Sequence, residues 1–435
     1  MKNLNIVFLV LLVANVVYAS SPEAPTLKLS VADFTVSALW NNIVTASGYK
    51  LYYAPYPHAQ PIGNFDMGPQ LKMSATLPAN SAFYVAVTAY HSEGESGYSN
   101  IEYFMLTDQK ELPDQNIPPS NEHKPDRMLI VISAPSIHDK YYQESFEKII
   151  AFDIQYAKAI MGKDNVVVLA DKDTLPYFKN KLPADVLLEA EVEDIWMRDF
   201  STVHPSKMVK FAYDRPQERS IEQSFLDFAN ENELQFKSSS LKLDGGNIVD
   251  NNKGRIILTD KVLERNPSLS RSQIISKLKS ELGATEVAII PMDEEYLGHS
   301  DGMVMFTDDN TILMNDYNED PDFKQEVLTA LQKRLPTVKI HEVEGVGYGE
   351  QYGDYASACG IYVNSVVTYN YIYVPIFGDT AKDNATVQKI QTLTNKTVVT
   401  VDVQNVCFLG GNTRCLSWQI TGDNAQKIIE AAKKY

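Results

Sequence analysis

Between Thr107 and Arg127 the chain changes periodicity, and that change divides it into two separately built domains. The stretch itself is polar, carries Pro113, Pro118, Pro119 and Pro125, and has no apolar repeat, so residues 107–127 read as a linker. Before it, apolar and polar residues alternate at period two, as in Gly48-Tyr49-Lys50-Leu51-Tyr52-Tyr53 and in Phe83 to Tyr90. Strands with one buried face have that pattern, and the turn signals between them predict a small antiparallel β-sandwich over 24–106. After it, Met128-Leu129-Ile130-Val131-Ile132 opens a new core as a buried strand. Helices predicted at Tyr142 to Met161 and Ser270 to Leu282 then alternate with strands. The strands are Asn165 to Leu169, Glu286 to Ile290, Thr311 to Met314, Val367 to Pro375 and Thr397 to Val401. The second domain, 128–435, is therefore of α/β class. Its segments show no close repeat in residue identity.

Charge and chain ends narrow the function. With 39 basic against 56 acidic residues the formal charge is -17, which argues against a nucleic-acid partner, since that binding needs a basic surface. Lys2, the apolar stretch Ile6 to Val17 and the small-residue site Val17-Tyr18-Ala19 lead us to expect an export signal over 1–19. The apolar stretch is short for a bilayer span, so the mature chain is expected to have none and to be secreted: extracellular, periplasmic or at the cell surface. Of the three cysteines at least one thiol stays unpaired; Cys359 and Cys407 either pair or are simply buried.

The candidate chemistry lies in short runs across the second domain. In Gly410-Gly411-Asn412-Thr413-Arg414-Cys415, a glycine turn can expose the sulfur of Cys415, and Arg414 or His299 can supply the cation that favours its thiolate. In Gly298-His299-Ser300-Asp301-Gly302, His299 and Asp301 are two apart and would share one face of an extended strand. One can titrate while the other holds a cation. In Trp196-Met197-Arg198-Asp199, an acid beside an indole can hold a flat cation. Asp244-Gly245-Gly246-Asn247 is a tight turn after a strand, and Asn364 precedes a long apolar strand. No His or Cys spacing suggests a metal.

These runs, together with Tyr362-Val363-Asn364, resemble the Porphyromonas-type peptidylarginine deiminase and agmatine deiminase family of the guanidine-modifying (pentein) superfamily, in that family's order from Asp126 to Tyr435. The resemblance implies a five-bladed, pseudo-symmetric α/β propeller with its site at the centre. It makes Cys415 the nucleophile, His299 the acid/base, and Asp199 and Asp301 the grips on a guanidinium. Trp196, Asn364, Arg215, Asp244, Gly246 and Asn247 become substrate-binding residues, and neither metal nor organic cofactor is needed. The sandwich resembles a fibronectin type III domain, with Trp40 in an early strand and Phe83 where that family has its corner tyrosine.

Three departures stand out. Arg414 occupies a position where the family often has His, and Ser201-Thr202 replaces a common Gly-Pro. Tyr213-Asp214-Arg215-Pro216-Gln217 keeps only the first arginine of the Arg-Pro-Arg clamp for a C-terminal carboxylate. The expected activity is hydrolytic deimination of an arginine-type guanidinium, peptidyl-arginine slightly ahead of agmatine, which would give N-carbamoylputrescine on the way to putrescine. Two other classes compete: a thiol peptidase using Cys415 and His299, and a non-catalytic adhesion protein whose sandwich meets a surface or polymer partner. The peptidase leaves Asp199 without a role.

Overall fold

The computed structural model describes residues 21–434 except 33, 56–59, 79–80, 106–120, 123, 214–218, 294–296, 346, 350 and 354. The expected leader 1–19, most of the expected linker, and Arg215 lie outside the described residues. The chain forms two units, within Met1–Asn116 and Ile117–Tyr435.

In the first unit, Leu27–Ala32, Thr35–Trp40 and Lys72–Thr76 make one antiparallel sheet. A second sheet joins Gly63–Gly68, Gly48–Pro55, Ala82–His91 and Gly94–Glu95, with Glu102–Met105 also on the Ala82–His91 strand. Val36, Ala38 and Trp40 from one sheet and Tyr49, Leu51, Val85 and Val87 from the other form one buried cluster, the inward half of the period-two pattern. Phe83 packs its ring on Tyr53 and Phe104, at 5.9 and 6.0 Å between centroids.

The second unit repeats one construction five times among the described residues. A strand, a helical crossover and a parallel strand recur as Leu129–Ser133 with Asn165–Ala170, Val209–Ala212 with Lys237–Lys242, and Arg255–Thr259 with Glu286–Ile290. The series continues with Thr311–Asn315 and Lys339–Val343, then Tyr371–Ile376 and Thr397–Asp402. Parallel neighbours need such a crossover, and the helices Phe146–Ile160, Arg219–Glu231, Arg271–Leu282, Pro321–Arg334 and Thr380–Thr392 supply it. Local chemistry sets several helix ends: Ser270 and Gln273 form a capping box, Gly283 ends the same helix at φ 63°, and Asp320 and Asp379 cap the next two. The repeat lies in the architecture and not in residue identity. Ser417–Ile420 then pairs antiparallel with Leu129–Ser133, so the last strand, which follows Cys415 directly, is anchored on the first.

Three expectations need correction. The strand expected over Val367 to Pro375 is two strands, Val366–Val367 and Tyr371–Ile376, because Thr368 and Tyr371 exchange backbone and hydroxyl bonds that turn the chain. The linker expected over 107–127 ends early. Asn121 is buried and donates to the carbonyls of Val166 and Asp185, while Glu122 N–H donates to Asn165, so this segment belongs to the second unit. His299 and Asp301 do not lie on an extended strand: His299 caps a single 3-10 turn, Ser300–Gly302.

Asp153, on Phe146–Ile160, is buried among apolar side chains, and neither carboxyl oxygen has a hydrogen-bond partner among the described residues. Burial holds it protonated, well above the ordinary carboxylate range. In the unfolded chain it ionises near pH 4. The folded state therefore loses stability as pH rises above that point, until the raised folded value is reached. We expect Asp153→Asn to unfold at a higher temperature than wild type at pH 7, by about 1 kcal/mol or more of stability, with the gain shrinking toward pH 4. Melting curves at the two pH values check this.

Candidate active site

The segment carrying Cys415 is fixed from several directions. Upstream, Gly410 adopts φ 105°, and at Gly411 a Cβ would meet the Trp196 ring at 2.5 Å and the Cys415 Cβ at 2.9 Å, so only glycine lets indole and thiol approach. The disulfide Cys359–Cys407 ties the start of this segment to the chain leading into Asn364 and resolves the open pairing; Cys415 stays free. Asn364 is the hub. Its Oδ1 accepts the backbone N–H groups of Arg414 and Cys415, each at 3.2 Å, and its Nδ2 donates to the Cys415 sulfur at 3.1 Å. Its backbone carbonyl accepts the Thr413 hydroxyl at 2.6 Å.

Trp196 precedes the short helix Met197–Phe200, which is stapled to the same segment: Arg198 N–H donates to the Cys415 carbonyl at 3.1 Å. The Arg198 side chain is buried and donates to the Arg414 carbonyl at 3.4 Å and to Gln419 at 2.8 Å. Burial and the nearby Arg414 charge pull its guanidinium down to about 9. It is thus a bracket for the nucleophile segment.

His299 sits between two carboxylates. Asp244 Oδ2 is 3.2 Å from Nε2, and Asp199 Oδ1 is 3.6 Å from Nδ1. Burial pulls the imidazole down, yet the Asp199 charge, the Asp244 hydrogen bond and Asp301 outweigh it and raise the ring to about 9. Gly246 makes the pairing possible. Its N–H donates to Asp199 Oδ1 at 3.0 Å, and a Cβ there would lie 2.6 Å from both that oxygen and His299 Nδ1. Because the folded value exceeds the ordinary 6.5, the stabilisation is complete below that pH and is lost as pH rises through about 9. Melting temperatures should therefore fall from pH 7 to 9 in wild type by an amount worth about 1–3 kcal/mol. His299→Gln should flatten that slope.

Asp301 is almost fully buried, with its Oδ2 3.9 Å from Cys415 Sγ. Burial, then the Asp301 and Asp199 charges, push the Cys415 thiol well above its ordinary value, against the opposing Asn364 bond and Arg414 charge. At neutral pH the pair rests as thiol and imidazolium.

Two cavities meet at this point. One, about 370 Å³, is lined by Trp196, Asp199, His299 and Cys415, with Tyr142, Tyr213 and the acids Asp139, Glu193 and Asp194 farther out. The other, about 340 Å³, is lined by Asp301, Asn364, His299 and Cys415. The structure thus brings Cys415, His299, Asp199, Asp301, Trp196 and Asn364 together. Asp244, Gly246 and Asn247 are not among the residues lining either cavity. Asp244 and Gly246 serve His299 and Asp199. Asn247 Oδ1 accepts the Thr259 and Ser300 N–H groups at 2.8 and 3.2 Å, pinning one turn to the other. The outer acids were missed by sequence reasoning, although Glu191, Glu193 and Asp194 directly precede Trp196.

Comparison with known proteins supplies the family. Residues 120–421 match the Porphyromonas-type peptidyl-arginine deiminases. An agmatine deiminase of Medicago truncatula is 25% identical over 320 residues, covering 60% of this chain and 86% of that protein. Among solved structures, C. jejuni agmatine deiminase superposes with a TM-score of 0.58 at 20% identity, over 70% of this chain and 95% of that one. Agmatine deiminase of Enterococcus faecalis does so with 0.57 at 19%, over 69% and 95%.

Proposed function

Because this chain belongs to the Porphyromonas-type peptidyl-arginine deiminase family, and so is a hydrolase acting on the C–N bonds of amidines, we propose that it deiminates an arginine-type guanidinium to a ureido product and ammonia through a covalent intermediate on Cys415. One observation carries this reading: a free thiol, a doubly paired imidazolium and two carboxylates converge where two cavities meet. A planar cation held between Asp199 and Asp301 presents its carbon to the sulfur. Its charge offsets the two carboxylates that hold the thiol protonated, so the thiolate forms as substrate arrives and the thiol proton leaves to solvent. The sulfur attacks the guanidinium carbon. Imidazolium protonates the departing nitrogen, and ammonia leaves a thiouronium. The now neutral His299 takes a proton from water, which adds to the same carbon. The C–S bond then breaks, giving the ureido product and the free cysteine. The five strand–helix–strand sheets support reading this unit as a five-bladed propeller with the site at its centre.

The outer wall of the larger cavity bears on substrate choice. Asp139, Glu193 and Asp194 line it. That wall favours guanidines whose far end is cationic or neutral, namely agmatine or arginine inside a peptide, over those ending in a carboxylate. Turnover of four substrates tests this: agmatine, an internal-arginine peptide, free arginine and a peptide ending in arginine. The first two should exceed the last two by about tenfold or more in kcat/KM. A preference for C-terminal arginine would sink the assignment of the wall, and silence on all four would sink the deiminase reading.

The expected leader together with the Cys359–Cys407 disulfide supports a place outside the cytosol. The core of the first unit, with Trp40 buried in it, supports its fibronectin type III-like reading.

A further inference from the structure

Arg414, the residue before the nucleophile, puts a guanidinium inside the site. Its Nη1 donates to Asp301 Oδ2 at 2.7 Å, and its Nη2 donates to the Ile248 carbonyl at 2.6 Å. Both partners of the ion pair are buried. Among the described residues Asp301 accepts this bond and the long contact from the Cys415 thiol through the same oxygen, Oδ2, and through no other side-chain atom. The carboxylate expected to hold the substrate's guanidinium is already half committed to the chain's own.

We propose that Arg414 is a positioning residue: it pairs with Asp301 Oδ2 and fixes that carboxylate beside Cys415, leaving Oδ1 for the incoming cation. This rests on the guanidine reading above. A buried carboxylate needs a counter-ion, since without one it binds a proton. Among the described residues Arg414 is the cation that donates a hydrogen bond to the Asp301 carboxylate. Around Asp301 the charged and titratable groups are Arg414 and Cys415 on the nucleophile segment, Arg198 on the short helix and His299 on its own turn. Asp199 and Asp244 act on His299 and Asp250 on Arg198, and all three carry the wrong sign. Arg198 is held by Gln419 and the Arg414 carbonyl, and His299 is held by Asp199 and Asp244.

The consequence is that removing Arg414 should abolish attraction for a cation without abolishing the thiol. Two alkylating reagents of the same shape separate these. Chloroacetamidine is cationic and chloroacetamide is neutral; in each the sulfur displaces chloride from the same carbon. In wild type at pH 7, Cys415 should react with the amidine in preference to the amide. In Arg414→Gln that preference should fall about 10- to 100-fold, the amide rate changing far less. Arg414→Lys should keep most of it. Asp301→Asn should lose as much as Arg414→Gln at pH 7, and the double variant should lose no more than either.

A preference retained within twofold in Arg414→Gln, or equal loss of both rates at every pH, would overturn the proposal. If Arg414→Gln does not fold, as judged by melting, Arg414→Lys and Asp301→Asn carry the test, and loss in Asp301→Asn without retention in Arg414→Lys overturns it. The readout needs no turnover. Absence of deimination in wild type with the preference present would count against the reaction, not against Arg414.

Discussion

Replacing Asp199 by Asn is expected to lower kcat/KM for any guanidine substrate by about two to three orders of magnitude, the cost of leaving a buried charge without its partner. Asn keeps an oxygen for the Gly246 N–H, which lies 3.0 Å from Asp199 Oδ1, so the turn that carries Asp244 should stay in place. What it loses is charge, in two places. The substrate cation loses one of its carboxylates, which raises KM. His299 loses the strongest of the influences that raise it to about 9, so more of the enzyme holds a neutral imidazole at pH 8, unable to protonate the leaving nitrogen. The deficit should therefore widen from pH 7 to pH 9. Steady-state kinetics across that range, with melting curves as a control, check this. A thiol peptidase built on Cys415 and His299 would have no cation to hold, and near-normal activity in this variant would favour it.

Cys415→Ala is the second large effect. Without the sulfur there is no covalent route, and kcat should fall by about four orders of magnitude or more, the usual cost of deleting a nucleophile. Stability should change little. The backbone N–H groups of residues 414 and 415 still reach Asn364 Oδ1, and Asn364 Nδ2 still reaches the Asp301 carbonyl at 3.2 Å. Ammonia release compared at equal folded concentration measures it. Residual activity within a hundredfold of wild type would contradict a role for the thiol.

Much of this was legible in the residues, for reasons that differ from element to element. The helix Arg271–Leu282 has a capping box at one end and glycine at the other, so its bounds are written locally. Cys415, His299, Asp199 and Asp301 stood out because each sits in a run whose residue types suit one step of one reaction, and the fold does bring them together. What was not legible was direction. Asp244 and Asn247 stand beside glycines in a turn, which says that the backbone approaches something without saying what. Asp244 turned out to face His299, and Asn247 the neighbouring turn. Thr368 broke a strand through a hydroxyl bond that apolar periodicity cannot register. Arg414 was visible as a nearby cation, but its commitment to Asp301 depends on two segments separated by 113 positions. The fivefold recurrence of strand, helix and parallel strand was hidden because each copy meets the same packing demand with different residues.

The central claim is that a guanidinium carbon becomes bonded to the Cys415 sulfur. The most direct measurement mixes His299→Gln with agmatine or an internal-arginine peptide, quenches in acid within the first turnover, and weighs the intact protein and its Cys415 peptide. His299→Gln keeps the thiol while losing both the proton donor for the leaving nitrogen and the base for the hydrolytic water, so an adduct forms more slowly than in wild type but is also held longer. The account predicts a mass increase equal to substrate minus ammonia, confined to Cys415 and absent in Cys415→Ala. Product formed by wild type at a normal rate, with no adduct on Cys415 at any quench time in wild type or variant, would contradict it.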